Sequence, residues 1–125
     1  MKTLLCIIHS PSNNTSLIEQ KVSEKLKSET SNLNIIIKNP FFANTEDILK
    51  ADGLLIGTTE NLASMAGATK DFFDRNYYNV IEKKEGMPVA VWIRAGHDGT
   101  GTSIQMKSII NCLLYTSDAA DDSGC

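Results

Sequence analysis

The sequence predicts an α/β protein built on a doubly wound parallel sheet with helices on both faces. Three observations carry that prediction. Short apolar runs and amphipathic runs alternate four times with short links between them, the order of strand–helix units rather than of a bundle or a sandwich. The apolar runs are nearly continuous, as in strands covered on both faces. The links at residues 10–15, 58–65 and 94–101 are rich in hydroxyl, amide and glycine. In open parallel sheets the ligand crevice lies beyond the carboxyl ends of the strands, where these links fall.

Residues 3–9 are almost wholly apolar and form the first strand. An amphipathic helix follows over 17–27, with Leu17 or Ile18, Val22 and Leu26 on one side and Lys21, Glu24 and Lys25 on the other. Its start is open: Ser16 and Glu19 have the spacing of a capping box, and Asn14 or Thr15 serves equally as the cap. After a polar turn, residues 33–38 are a β-branched second strand ended by Asn39-Pro40. Thr45 reads as an N-cap, followed by acidic Glu46 and Asp47 and a short helix at 48–51 that stops before Asp52-Gly53. Residues 54–57 are a third buried strand, and 58–65 a polar loop. The helix at 66–80 turns Phe72, Phe73 and Tyr77 to the core and keeps Asp71, Asp74 and Arg75 wet. A turn at 82–87 precedes the fourth strand at 89–93. Beyond the loop at 94–101 a helical pattern runs through Ile104, Met106, Ile109 and Ile110.

A chain of 125 residues makes one domain with one core. Its net charge is −3, without the clustered basic face that a nucleic-acid surface needs. The apolar run at 4–8 is too short to span a bilayer and lacks a small-residue cleavage site, so neither a membrane anchor nor a signal peptide is expected. Cys6, Cys112 and Cys125 fit no metal motif and no disulfide framework. Cys6 packs as a small hydrophobe, and a reducing cytoplasm is the default.

The loop His9-Ser10-Pro11-Ser12-Asn13-Asn14-Thr15 joins the first strand to the first helix. The N–H groups of a first helical turn lack intrahelical partners, and the helix dipole puts partial positive charge there. Together with the Ser and Thr hydroxyls they form a cradle for an anion without a basic residue. No Lys or Arg lies between Thr3 and Gln20. That excludes the triphosphate loop, which needs Gly-Lys-[Ser/Thr], and no Gly-x-Gly-x-x-Gly dinucleotide fingerprint is present. What remains suits one terminal phosphate.

The chain over about 2–111 resembles the flavodoxin-like family of flavin mononucleotide (FMN)-binding, NAD(P)H-dependent oxidoreductases. The resemblance rests on the 9–15 loop and on Ala51-Asp52-Gly53-Leu54-Leu55-Ile56-Gly57-Thr58. It continues through Thr59-Glu60-Asn61, the block Gly67-Ala68-Thr69-Lys70-Asp71-Phe72-Phe73-Asp74-Arg75, and Gly96-His97-Asp98-Gly99. It implies a sheet of order 2-1-3-4-5 that binds FMN. Ser10, Ser12, Asn13, Asn14 and Thr15 would hold the phosphate. Thr58, Thr59, Glu60, Asn61 and Leu62 would line one edge of the ring, and Ala95, Gly96, His97 and Gly99 the other. It also implies NADH or NADPH as reductant and a small-molecule electron acceptor such as a quinone or free flavin. The flavin carries the hydride chemistry, so no catalytic side chain is assigned. The family commonly has Pro where this chain has Thr59, and Gly with an aromatic near Ala63 and Ser64; here only Leu62 and Met65 offer apolar cover. His97 is either a donor to the ring or nicotinamide or a solvated loop histidine. His9 reads as structural. Arg94 meets a 2′-phosphate or pairs with a surface carboxylate, and Glu60 caps its loop.

Residues 112–125 change character and resemble translated sequencing-adapter DNA. Asp118, Asp121 and Asp122 account for the whole net charge of −3, since 15 acidic residues less these three equal the 12 basic ones. The expectation is a domain at 1–111 with a non-native tail, a sheet of order 2-1-3-4, and a missing fifth strand and last helix. The fourth strand then becomes an exposed edge. Three functional readings follow: a flavin-dependent reductase, a homodimer by resemblance; a flavodoxin-type electron carrier; and an inactive fragment of either. Carriers of that type usually show an acidic docking face, which the balanced 1–111 lacks.

Overall fold

The computed structural model describes residues 1–114. Four long parallel strands make the sheet: β1 (Lys2–Ile8), β2 (Leu33–Lys38), β3 (Gly53–Asn61) and β5 (Val89–Arg94). A two-residue strand, β4 (Ser64–Met65), pairs antiparallel with the end of β3. Across the sheet the order is β2-β1-β3-β5, the expected flavodoxin-like winding. The helices are α1 (Asn13–Glu29), α2 (Thr45–Lys50), α3 (Gly67–Val80) and α4 (Thr100–Leu114). The chain steps from β1 to β2 in one direction and then back across β1 to β3 and β5. Right-handed crossovers therefore place α1 on one face and α2 and α3 on the other.

The two faces are packed unequally. Leu5, Ile7, Leu54 and Ile56 point into a core with Ile48 of α2, Phe72, Phe73 and Val80 of α3, and Met106, Leu113 and Leu114 of α4. On the opposite face Cys6 and Ile8 are buried beneath α1, yet Thr15 is the only buried residue of that helix. β5 pairs only with β3 among the described residues, and its Val91 is 36% exposed. The predicted exposed edge is thus present among the described residues. The proposed adapter tail falls mostly on residues 115–125, outside the described residues.

Helix starts are where local chemistry corrected the expectation. Ser12 caps α1: its hydroxyl accepts from the Thr15 N–H while the Thr15 hydroxyl accepts from the Ser12 N–H. Thus the box is Ser12/Thr15, not Ser16/Glu19, and the loop residues Asn13, Asn14 and Thr15 are the first helical turn. Asn44 rather than Thr45 caps α2, reciprocally with Asp47. The expected polar loop at 58–65 is instead strand extension plus a hairpin, because β3 runs to Asn61 and turns through Leu62 and Ala63 to β4. No Asn-Gly or Asp-Gly marks this turn, so the sequence carried no hairpin signal.

Candidate functional site

Three loops meet at the carboxyl end of the sheet. The first is fixed by β1, whose next residue, His9, donates its backbone N–H to the Gly57 carbonyl of β3 (2.9 Å). Ser10 then hands the chain to α1. The Thr15 hydroxyl donates to the Ser12 carbonyl (2.9 Å) and accepts from the Ser12 N–H (3.0 Å); the Ser10 hydroxyl donates to it at 3.4 Å. This knot locks Thr15, buried at 1% exposure. The Asn13 and Asn14 N–H groups remain without a partner among the described residues, and both residues are exposed. Two free donors at the positive end of a 17-residue helix suit an anion. Ser10 and Ser12 can add hydroxyl donors by rotating away from Thr15.

The second and third loops are bound to each other. Glu60 accepts from the Thr102 N–H (3.2 Å) and hydroxyl (3.0 Å), in the first turn of α4. Its carboxylate therefore serves the start of α4, as the capping reading expected of it in kind. Gln105 Oε1 accepts from the Ser64 hydroxyl (3.0 Å) and the Met65 N–H (2.9 Å). A Cβ on Gly101 would overlap the Ala63 carbonyl oxygen, so only glycine lets α4 approach the turn this closely. Gly101, Thr102 and Gln105 were not singled out from the sequence; only the Gly99-Thr100-Gly101 spacing hinted at a close approach.

The hairpin tip is strained. Leu62 (φ 53°) and Ala63 (φ 63°) both lie in the left-handed region, at about 1 kcal/mol each for residues with a Cβ. The Leu62 side chain is fully exposed beside Asn61, also exposed. Opposite them, Ala95 is half-buried, Gly96 and His97 are exposed, and Gly99 (φ 73°) is buried. Asp98 accepts from the Thr100 N–H (3.0 Å), which holds its carboxyl below the usual range. Among the described residues Arg94 has no carboxylate partner, so the expected surface pair does not form. His9 is half-buried, and burial pushes its pKa down, keeping it neutral near pH 7, in line with a structural histidine.

Adjacent threonines of β3 face opposite ways. The Thr58 hydroxyl is inside the α3 face, 2.9 Å from the Thr69 hydroxyl and 3.0 Å from the Thr59 carbonyl that it donates to. Thr59 therefore faces the α1 side. It is 7% exposed, and its hydroxyl has no hydrogen-bond partner among the described residues. A buried hydroxyl left unpaired costs about 1–3 kcal/mol. The accessible donor set at the α1 N-terminus, the two free amides with the Ser10 and Ser12 hydroxyls, fits a phosphate monoester such as that of FMN. Surface grooves also lie elsewhere. One of about 530 Å³, between α3 and α4, is lined by Phe73, Tyr77, Tyr78 and Ile109 and by none of the predicted site residues.

Sheet order and the loop cluster at the carboxyl end define a flavodoxin-like α/β domain. A flavodoxin from Aquifex aeolicus (strain VF5) is 26% identical over 114 residues, which are 91% of this chain. The chain spans 61% of the length of that relative. Among solved structures, an NADPH-quinone reductase from P. pentosaceus superposes with a TM-score of 0.60 at 15% identity, over 93% of this chain and 82% of its own. RosB with bound 8-demethyl-8-formylriboflavin-5′-phosphate superposes with a TM-score of 0.61 at 13% identity, over 93% of this chain and 61% of its own. No family model matches the chain. No helix among the described residues is long and apolar enough to cross a membrane.

Proposed function

We propose that this chain binds FMN at the carboxyl end of its sheet and serves NAD(P)H-dependent reduction of a quinone, a free flavin or a similar small acceptor. The observation that carries the reading is the convergence of the 10–15 segment, the end of β3 with its hairpin turn, and the 95–99 loop on one sheet end, with two free α1 amides facing out. In this reading Asn13, Asn14, Ser10 and Ser12 hold the phosphate by N–H and O–H donation, and the α1 dipole adds to it. Leu62 offers apolar contact to one side of the ring. The Ala95–Gly99 backbone lines the other, where N–H groups stabilise charge gained on reduction. The bound flavin would supply the hydride transfer. The Glu60 and Gln105 contacts fix the distance between the two ring loops, so those loops bind without first being ordered.

The second reading, an electron carrier without its own substrate, has the name of the Aquifex relative in its favour. Against it stands the charge balance of 1–111, 12 basic to 12 acidic residues. Partnership as a homodimer and a cytoplasmic setting belong to the same proposal. The test begins with FMN titrated into the full chain, followed by flavin fluorescence and thermal unfolding together; saturable quenching with a raised Tm is expected. NADH or NADPH is then added anaerobically without any partner reductase. Bleaching of the bound flavin supports the reductase, and bound flavin that stays oxidised supports the carrier. Absence of saturable binding refutes both.

A further inference from the structure

We propose that the outer edge of β5 pairs antiparallel with the same edge of a second copy, joining two sheets into one; the inference rests on the homodimer reading above and names its surface. Among the described residues β5 is bonded on one side only, where Leu54 to Thr59 of β3 run beside Val89 to Arg94. The Leu54 N–H donates to the Pro88 carbonyl (3.0 Å). Alternation along the ladder then turns the backbone groups of Ala90, Trp92 and Arg94 toward β3 and those of Val89, Val91 and Ile93 outward. Residues 89–93 carry no charge and no proline, two of the devices that keep an open edge from pairing.

The edge is self-complementary. A closed pair of identical edges is two-fold symmetric and antiparallel, and its hydrogen-bonded pairs must be made of outward-facing residues. Centring the two-fold on Val91 meets that condition. Val91 then faces its own copy and Val89 faces Ile93, so every outward N–H and C=O of the strand finds a partner. On the other sheet face the same register sets small Ala90 against large Trp92, and Arg94 falls opposite Pro88, so no cation meets a cation. The side chains fit as the backbone does. Val89, Val91 and Ile93 line a groove of about 330 Å³ between β5 and α4, with Met106 and Ile110 on its far side. α4 leaves that groove open because Met106, Leu113 and Leu114 draw it inward to α3 and the core. In the Val91-centred register the same three β5 side chains of the second copy project on this face and extend into the groove. The remaining segment of the chain, 115–125, is a poorer occupant: it holds Asp118, Asp121 and Asp122, and only Tyr115 and Thr116 favour strands.

The test is analytical ultracentrifugation of the full chain without flavin, so that its result is separate from the FMN titration. Wild type should dimerise. Because Val91 meets its own copy, Val91→Lys and Val91→Glu each oppose two like charges, and each alone should raise the dimer Kd about a hundredfold. An equimolar mixture of the two variants should recover the dimer, since opposite charges then face each other. A monomeric wild type overturns this proposal together with the homodimer. A dimer undiminished in both variants overturns the β5 edge and leaves the homodimer standing on another surface. Weakened variants that do not recover on mixing overturn the Val91-centred pairing. Should the substitutions unfold the chain, amide exchange of wild type decides. The Ala90 and Trp92 N–H groups, bonded to β3, should be protected at every concentration. Those of Val89, Val91 and Ile93 should gain protection only as the concentration rises through the dimer Kd. Their protection in dilute monomer would mean that the chain covers its own edge, and their continued exchange in the dimer would place the contact elsewhere; either result overturns the proposal.

Discussion

Replacing Gly101 by alanine sets two known effects against each other. In an exposed helix, Gly→Ala stabilises by about 1 kcal/mol, through propensity and unfolded-state entropy. Gly101 lies in the first turn of α4, and a Cβ there would overlap the Ala63 carbonyl oxygen and stand 3.2 Å from its carbon. The obstacle is backbone, in a turn already at positive φ and tied into the β3–β4 ladder, so it cannot yield as a side-chain tip would. Overpacking of this kind costs about 1–3 kcal/mol. The balance is a net loss of about 1 kcal/mol, or about 4 °C in Tm for a chain of this size. Thermal unfolding of wild type and Gly101→Ala in one buffer measures the sign. Amide spectra should show the disturbance concentrated at Leu62, Ala63 and Gln105. A Tm that rises by a similar amount, as in an unobstructed helix, would refute the close approach of α4 to the hairpin.

Three further outcomes are expected. Thr58→Val should destabilise by about 1–3 kcal/mol in urea unfolding, because it leaves the buried Thr69 hydroxyl without its partner, while the Ala66 N–H keeps the Thr59 carbonyl. Asp47→Asn should cost about 1 kcal/mol at pH 7 through the α2 capping box and the Lys38 ion pair at 2.9 Å. Burial opposes ionisation of Asp47, but the Asn44 N–H and Lys38 outweigh it and hold the pKa below 3.8. Its stabilisation is therefore complete above 3.8 and lost as the pH falls through the lower folded value, so wild type and variant should converge in acid. Cys6, fully buried with its thiol pushed up to about 11, should resist iodoacetamide at pH 8 in the folded chain and react once unfolded. Peptide mapping of the labelled cysteine reads this directly.

The elements with strong periodicity were legible from residues alone. β2 occupies the 33–38 expected of its β-branched run, and the core face of α3 is the expected Phe72, Phe73 and Tyr77 side. Strand order followed because short links and right-handed crossovers leave few windings open. The position of the loop cluster followed in turn, since a parallel sheet sends all its outgoing loops to one end. Cap identities were less legible: Ser, Thr and Asn crowd both helix starts, and which one caps depends on where the preceding strand lets go.

What the chain alone could not reveal depends on partners distant in sequence. The hairpin at Leu62-Ala63 lacks turn residues and exists because Gln105 and Glu60 tie it to α4, about 40 residues away. Thr58 and Thr59 are alike in sequence, yet strand alternation buries one hydroxyl against Thr69 and leaves its neighbour unpaired on the α1 face. Trp92 reads as an ordinary apolar strand residue until the register sets it over Gly57. Local propensity and hydrophobic period determine which segments become strands and helices. The direction of a single hydroxyl, and the donors it meets, is decided only when the strands come into register.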